Sequence, residues 1–154
     1  MMNSHFMGPN ILIVDNIPTQ MRVLENILKQ IGYKKVFTCR NAKEAMAIIV
    51  EHPDIGLVIT EWDLPDKSGL DLLELIKLND ALSKIPVILA FKVKSKDDIA
   101  KALQSGVACF IVKPYRPEVV KKKISKLLIA DGALEKSPNQ EPNMDDINGP
   151  KQGE

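Results

Sequence analysis

Polar side chains follow four short apolar runs of the sequence, at the point where each run ends. They are Asp15 and Asn16 after residues 11–14, Glu61 and Asp63 after residues 55–60, Lys92 after residues 86–91, and Lys113 after residues 108–112. Clustered carboxylates can hold Mg²⁺, which prefers oxygen ligands. A lysine beside them would neutralise phosphoryl oxygens while a carboxylate attacks the phosphorus. These residue types therefore indicate phosphoryl transfer to a carboxylate.

Residues for other chemistries are absent or scattered. The sequence has no glycine-rich phosphate loop, and His5 and His52 form no believable catalytic arrangement with a cysteine or serine. Cys39 and Cys109 form no disulfide or zinc pattern. Each cysteine lies in an apolar run, so we expect two buried free thiols in a reducing compartment.

Five apolar runs and the segments between them must position the polar side chains. The runs are residues 11–14, 35–39, 55–60, 86–91 and 108–112. Four of them are nearly continuous rather than alternating, which is typical of parallel strands covered on both faces. Helix starts are expected at Pro18, at Asn41 with Glu44, at Ser68 with Asp71, at Ser95 with Asp98, and at Pro117. Five β-α units with right-handed crossovers predict a doubly wound sheet, whose ligand crevice lies at the carboxyl ends of its strands.

The composition sets further bounds on the class of protein. A chain of 154 residues with 45% hydrophobic and 27% charged residues is typical of one soluble domain. The net charge of +1 gives no indication of a nucleic acid or an anionic membrane as a partner. We expect residues 1–9 to be an N-terminal extension, natural or left from cloning, and residues 131–154 to be a disordered acidic tail. The sequence shows no long apolar run and no secretion signal, which predicts a cytoplasmic protein.

Taken in order, these motifs resemble the receiver domain of two-component response regulators, of the chemotaxis-regulator type. The resemblance covers residues 10–130 and is carried by residues 11–16, 57–65, 68–73, 85–89 and 106–115. It implies an α/β, flavodoxin-like (βα)5 fold with strand order 2-1-3-4-5 and a cis peptide bond between Lys113 and Pro114. It also implies bacterial phosphorelay signalling by a protein that is not an enzyme.

The sequence departs from the family at four positions of the site. The resemblance places Asn16 at the second acid after strand one, Glu61 at the phosphoacceptor Asp, Phe91 at the Ser or Thr after strand four, and Lys92 at the small residue beyond it. The change at Asn16 should weaken a Mg²⁺ site formed by Asp15, Asn16, Glu61 and Asp63. Glu61 shifts its carboxylate by about 1.3 Å, and an error of about 1 Å can cost on the order of a hundredfold in rate. Phe91 removes a hydroxyl group, and Lys92 places a long cation where the phosphoryl donor would approach.

We therefore expect a pseudo-receiver that works without phosphorylation, requires no cofactor and binds Mg²⁺ weakly if at all. Two interpretations of Glu61 stay open: it mimics a phosphoaspartate by reaching Lys113 or Lys92, or it is a leftover acid paired with a lysine. Phe110 falls at the family's switch aromatic. It either packs against Phe91 as a locked switch or is an ordinary core residue.

The resemblance places the partner surface on the fourth helix, the fifth strand and the fifth helix. The residues expected on this surface include Lys101, Tyr115, Arg116 and Lys122. A lysine-rich surface is either a solvated face or a binding site for an acidic protein. The expected partners are a histidine kinase or a downstream effector, and a homodimer is compatible with the sequence. Neither nucleic acid nor a membrane is expected.

Two other functions stay open. In the first, the domain is phosphorylated on Glu61 or Asp63 with weak Mg²⁺ binding, which the retained Asp15 and Lys113 favour. In the second, it is a flavodoxin-like binder of a flavin, which shares the fold but not the loops.

Overall fold

Five parallel strands form one sheet in the computed structural model, which describes residues 8–128 of the chain. The strands are β1 (Asn10–Val14), β2 (Val36–Cys39), β3 (Ile55–Glu61), β4 (Val87–Phe91) and β5 (Cys109–Val112). Their order is β2-β1-β3-β4-β5, and every neighbouring pair is parallel. This topology confirms the predicted flavodoxin-like, doubly wound fold.

Five helices alternate with the strands and cover both faces of the sheet. They are α1 (Pro18–Ile31), α2 (Ala42–Glu51), α3 (Gly69–Leu78), α4 (Lys96–Gln104) and α5 (Pro117–Leu128). Helices α2, α3 and α4 pack on one face, with Leu12 and Val14 of β1 in the same core. Helices α1 and α5 pack on the other face, where Ile11 and Ile13 of β1 lie. Both sides of the strand are therefore buried, which explains the unbroken apolar runs.

Side-chain caps begin three of the helices where the sequence predicts them. Ser68 and Asp71 form a reciprocal capping box at the start of α3. The Ser95 hydroxyl accepts a hydrogen bond from the Asp98 amide at 3.1 Å at the start of α4. The Asn41 side chain likewise accepts from the Glu44 amide at 2.8 Å. The carboxylate of Glu44, however, accepts from the Arg40 amide rather than from Asn41, so the predicted box at α2 is only half formed.

The two cysteines of the sheet are buried and do not form a disulfide, as the sequence predicts. Burial, followed by the charge of Glu44, raises the pKa of the Cys39 thiol to about 12, which keeps it protonated and unreactive. Within residues 8–128, no helix is long and apolar enough to cross a membrane. The predicted N-terminal extension, apart from Gly8 and Pro9, and the predicted acidic tail lie outside the described residues.

Candidate functional site

The ammonium group of Lys113 lies between two carboxylates at the carboxyl edge of the sheet. Lys113 Nζ is 3.0 Å from Asp15 Oδ2 and also donates to Glu61 Oε1. The Lys113 side chain is 2% exposed and that of Asp15 is 0% exposed, so this is a buried ion cluster. A buried charge is tolerated only when it is paired and hydrogen-bonded. The structure thus brings together three of the residues that the sequence predicts for the site.

Strand pairing brings these three residues to one place. Val14 of β1 pairs with Thr60 of β3, so Asp15, directly after β1, lies beside Glu61, the last residue of β3. The Lys113 amide donates to the Phe91 carbonyl at 2.9 Å, which extends the β4–β5 pairing by one residue. The Lys113–Pro114 peptide bond is cis, as the resemblance implies.

Backbone amides hold the other oxygen of each carboxylate. The Ile17 amide donates to Asp15 Oδ1 at 3.0 Å, and the Asp63 amide donates to Glu61 Oε2 at 2.7 Å. Both carboxylates are therefore fixed by a backbone N–H group on one side and by Lys113 on the other. Each of the four carboxylate oxygens thus accepts one hydrogen bond before any ligand arrives, which uses about half of the lone-pair sites.

Gln20 completes the coordination of Lys113, and the sequence does not single it out. Its Oε1 atom accepts a further hydrogen bond from Lys113 Nζ. Gln20 lies in the first turn of α1, directly beyond the loop that carries Asp15. That location could have identified Gln20 as a site residue, because the start of the helix after β1 must lie at the same edge of the sheet.

Tyr115 packs against this cluster rather than on an exposed partner surface, which corrects the expectation for that residue. It is 8% exposed, and Lys113 Nζ lies 5.5 Å from the centroid of its ring. Burial, followed by the charges of Asp15 and Glu61, raises the pKa of Tyr115 well above its usual range. The ring is buried because it covers the ammonium group and joins the core under α1 and α5. The other expected surface residues, Lys101, Arg116 and Lys122, are exposed.

Lys92 is not brought to the site, and a lysine two residues later is paired instead. The chain bends at Lys92 directly after β4, and the side chain is exposed to solvent, where its charge stays hydrated. Lys94 Nζ lies 2.7 Å from Asp63 Oδ1 and 5.1 Å from the centroid of the Trp62 ring. Of the two lysines that Glu61 could reach, it therefore contacts Lys113 and not Lys92, and Lys94 pairs with Asp63.

The predicted metal ligands do not converge on a common point. Asp15 and Glu61 face each other across the Lys113 ammonium group, Asn16 is exposed, and the Asp63 carboxylate pairs with Lys94. Among residues 8–128, no group of three or more His, Cys, Asp or Glu side chains could hold a metal ion. The Lys113 ammonium group occupies the space between the two acids and the other expected ligands point elsewhere, so these residues do not fit Mg²⁺ as they stand.

Three aromatic rings form a continuous row beside the cluster. Trp62 and Phe91 have ring centroids 5.7 Å apart at 85°, and Phe91 and Phe110 have centroids 5.7 Å apart at 68°. These edge-to-face geometries are the favourable ones for aromatic pairs. The expected contact between Phe91 and Phe110 is confirmed, whereas the participation of Trp62 was not expected.

A carboxylate of the β3–α3 loop caps a neighbouring helix. Asp66 accepts hydrogen bonds from the amides of Ala42 and Lys43, each at 3.0 Å, at the start of α2. Burial alone would raise the pKa of Asp66, but these amides and that of Lys67 outweigh it and hold the pKa below its usual value. The contact joins the loop after Glu61 to the N-terminal end of α2.

Comparisons with known proteins agree with the fold described above. The family model of the response regulator receiver domain matches residues 11–125. The chain is 32% identical over 118 residues to the chemotaxis protein CheY1 of Helicobacter pylori, covering 77% of this chain and 95% of that protein. It is 30% identical over 117 residues to the chemotaxis protein CheY of Pseudomonas aeruginosa, covering 76% and 94%.

A solved structure supports the same assignment. The signal receiver domain of a signal transduction histidine kinase from Syntrophus aciditrophicus superposes with a TM-score of 0.72 at 28% identity, covering 86% of this chain and 97% of that one. The chain therefore belongs to the response regulator receiver family. Within that class it is a CheY-like receiver of two-component signalling. Receiver domains of this family interact with histidine kinases and effectors.

Proposed function

We propose that this receiver acts by binding other proteins without being phosphorylated, with Glu61 in the phosphoacceptor position. The observation that carries the proposal is the buried Lys113 ammonium group, which engages Glu61 Oε1 while the Asp63 amide engages Oε2. The ammonium group supplies within the chain the positive charge that a metal ion would otherwise bring to the carboxylates of Asp15 and Glu61. With one ammonium group against two carboxylates, the cluster carries one excess negative charge instead of two without any ligand.

The geometry of Glu61 argues against its acting as a nucleophile. One carboxylate oxygen accepts from Lys113 and the other accepts from the Asp63 amide at 2.7 Å. An attacking oxygen needs a free lone pair directed at phosphorus, at about 3–3.5 Å, and misplacement by about 1 Å costs on the order of a hundredfold in rate. Engaged oxygens on a side chain longer than aspartate meet this requirement poorly.

The aromatic row supports a domain held in one state. Phe91 stands where the resemblance expects a hydroxyl group, and its ring packs on Trp62 and Phe110 instead. Phe110 is 0% exposed, so its ring cannot change rotamer unless this packing opens. A switch based on movement of that ring would have to break both contacts.

Binding would then fall to the surface of α4, β5 and α5. Lys101, Arg116 and Lys122 are exposed there and offer a basic contact to an acidic protein. A histidine kinase or a downstream effector in the cytoplasm is the proposed partner, and self-association through the same surface is the form that a homodimer would take. No nucleic acid, membrane or cofactor has a role in this proposal.

Incubation with acetyl phosphate and Mg²⁺, followed by intact mass spectrometry, tests the proposal. We expect the mass to stay unchanged, because both oxygens of Glu61 already accept hydrogen bonds and its longer side chain displaces the carboxylate. A stoichiometric increase of about 80 Da, the mass of one phosphoryl group, would overturn it.

A second candidate is a receiver phosphorylated on Glu61 or Asp63 with weak Mg²⁺ binding. The observation in its favour is that the Asp63 side chain is 72% exposed at the mouth of the site. If metal binds there, Mg²⁺ should change the fluorescence of Trp62, whose ring lies beside the same lysine as Asp63. Loss of that response in Asp63→Asn would assign the metal to Asp63, whereas no response at high millimolar Mg²⁺ would remove the support for this candidate.

A further inference from the structure

Lys94 contacts two residues of a different loop at once. Its ammonium group lies 2.7 Å from Asp63 Oδ1 and 5.1 Å from the centroid of the Trp62 ring, and the lysine side chain is 14% exposed. Asp63 and Trp62 both belong to the loop after β3, whereas Lys94 belongs to the loop after β4. The β4–α4 loop is therefore fastened to the β3–α3 loop through this one side chain.

Each contact of Lys94 leads to a different part of the molecule. The Asp63 amide donates to Glu61 Oε2 at 2.7 Å, which connects the ion pair to the buried carboxylates. Trp62 is the first ring of the row that continues through Phe91 to Phe110. Ser95, the residue directly after Lys94, caps α4. Lys94 thus lies where the site, the aromatic row and the start of α4 meet.

We propose that Lys94 is a positioning residue that clasps the β4–α4 loop and fixes the start of α4 relative to the site. The clasp consists of the Lys94–Asp63 ion pair and the contact of the same ammonium group with Trp62. It needs neither phosphate nor metal, and it therefore goes beyond the proposed function and can fail separately from it. Its consequence is that the α4 part of the partner surface is held in one arrangement.

The partial burial of Lys94 makes this contact stronger than an ordinary surface ion pair. Exposed pairs contribute little, because water solvates both charges and the long side chains lose entropy. Most of the Lys94 side chain is covered, although Asp63 is 72% exposed, so this lysine has exchanged part of its contact with water for a carboxylate and an aromatic face. A cation that is desolvated over tryptophan gains most from the ring.

Lys92 supplies a matched control for the test. It is two residues away on the same loop and has the same charge, but it is exposed and has no ion pair or hydrogen bond among the residues that the structure describes. Lys94→Met keeps most of the apolar stem over Trp62 and removes the charge. Lys92→Met removes the same charge from the same loop without touching the clasp.

Amide hydrogen exchange of the full chain, without phosphate or metal, is the measurement. In Lys94→Met we expect amides of residues 92–99 to exchange about two- to tenfold faster than in the wild type, as the loss of one ion pair and one cation–π contact implies. Exchange in β1 should be unchanged, which separates local opening from global destabilisation. Lys92→Met should match the wild type.

Two further variants sharpen the result. Asp63→Asn should speed exchange in the same residues, and adding Lys94→Met to it should cause less additional change than Lys94→Met alone. Lys94→Ala, which also removes the stem, should increase acrylamide quenching of Trp62. Equal exchange of residues 92–99 in Lys94→Met and Lys92→Met would overturn the proposal, as would strictly additive effects of Asp63→Asn and Lys94→Met.

Discussion

Lys113 dominates the electrostatics of the site because it is buried against two acids. Moving an ammonium group out of water is costly, and Asp15, Glu61 and the face of Tyr115 offset that cost. Lys113 in turn stabilises the charge of the two buried carboxylates, because each of them accepts only one other hydrogen bond, from a backbone N–H group. Removing Lys113 would therefore leave two buried carboxylates without their counter-charge.

Lys113→Met is expected to lower the free energy of unfolding by about 3–5 kcal/mol, the usual cost of removing one partner of a buried ion pair. The physical reason is that Asp15 and Glu61 would face each other across an apolar side chain. Urea denaturation at neutral pH measures the change. Lys92→Met, at an exposed lysine, should change the same quantity by less than about 0.5 kcal/mol, and a similar small effect at Lys113 would contradict the buried cluster.

The loop between β3 and α3 is the element that ties the site to the rest of the fold. Its first residues carry Trp62 and Asp63, and its later residue Asp66 caps α2. The loop ends where Gly69 begins α3, with the Gly69 amide bonded to the Trp62 carbonyl at 2.6 Å. The conformation after Glu61 is thus fixed from both ends.

Asp66→Ala should destabilise the protein by about 0.5–1 kcal/mol at neutral pH, the usual effect of losing a carboxylate cap. Because the folded-state pKa of Asp66 lies below its ordinary value, its contribution is present above the ordinary carboxyl pKa of about 4 and is lost as the pH falls through the folded value. The wild type should therefore lose more stability between neutral pH and about pH 3 than Asp66→Ala does. Asp80→Ala, at an exposed acid at the end of α3, is the control, and equal acid sensitivity of all three proteins would contradict the role of the cap.

Gly69→Ala should destabilise the protein by about 1–3 kcal/mol, as overpacking commonly does. A Cβ atom at Gly69 would lie 2.4 Å from the Glu61 carbonyl oxygen and 3.0 Å from the Trp62 Cα atom, so backbone rather than a flexible side chain would have to move. Thermal unfolding and Trp62 emission report the two effects. In Gly56→Ala the new Cβ would meet the Pro9 ring near the beginning of the described chain, so the loss of stability should be smaller. A larger loss of stability in Gly56→Ala than in Gly69→Ala would show that α3 does not pack tightly on the end of β3.

The whole molecule shows which features a sequence can predict. Burial of both sheet faces produces continuous apolar runs, so the strands and the crevice at their carboxyl ends follow from the pattern, whereas the strand order follows from the resemblance to the receiver family. Asp15, Glu61 and Lys113 also follow, because each is attached to the end of a strand whose neighbours are set by the topology.

The remaining contacts depend on the paths of loops, which local patterns do not encode. Lys94 rather than Lys92 is paired because the chain bends directly after Phe91. Asp66 caps a helix more than twenty residues away in the chain, and no spacing rule relates a loop carboxylate to such a helix. Tyr115 was expected on the partner surface because the sequence does not show that its ring covers Lys113.

The central claim, that the fold of a receiver is retained while its site does not accept a phosphoryl group, is tested most directly by mass spectrometry against a restored variant. The restored protein carries Asn16→Asp, Glu61→Asp, Phe91→Thr and Lys92→Ala in the same chain. With acetyl phosphate and Mg²⁺, it should gain about 80 Da, whereas the wild type should keep its mass under identical conditions. A stoichiometric gain of that mass by the wild type would contradict the account.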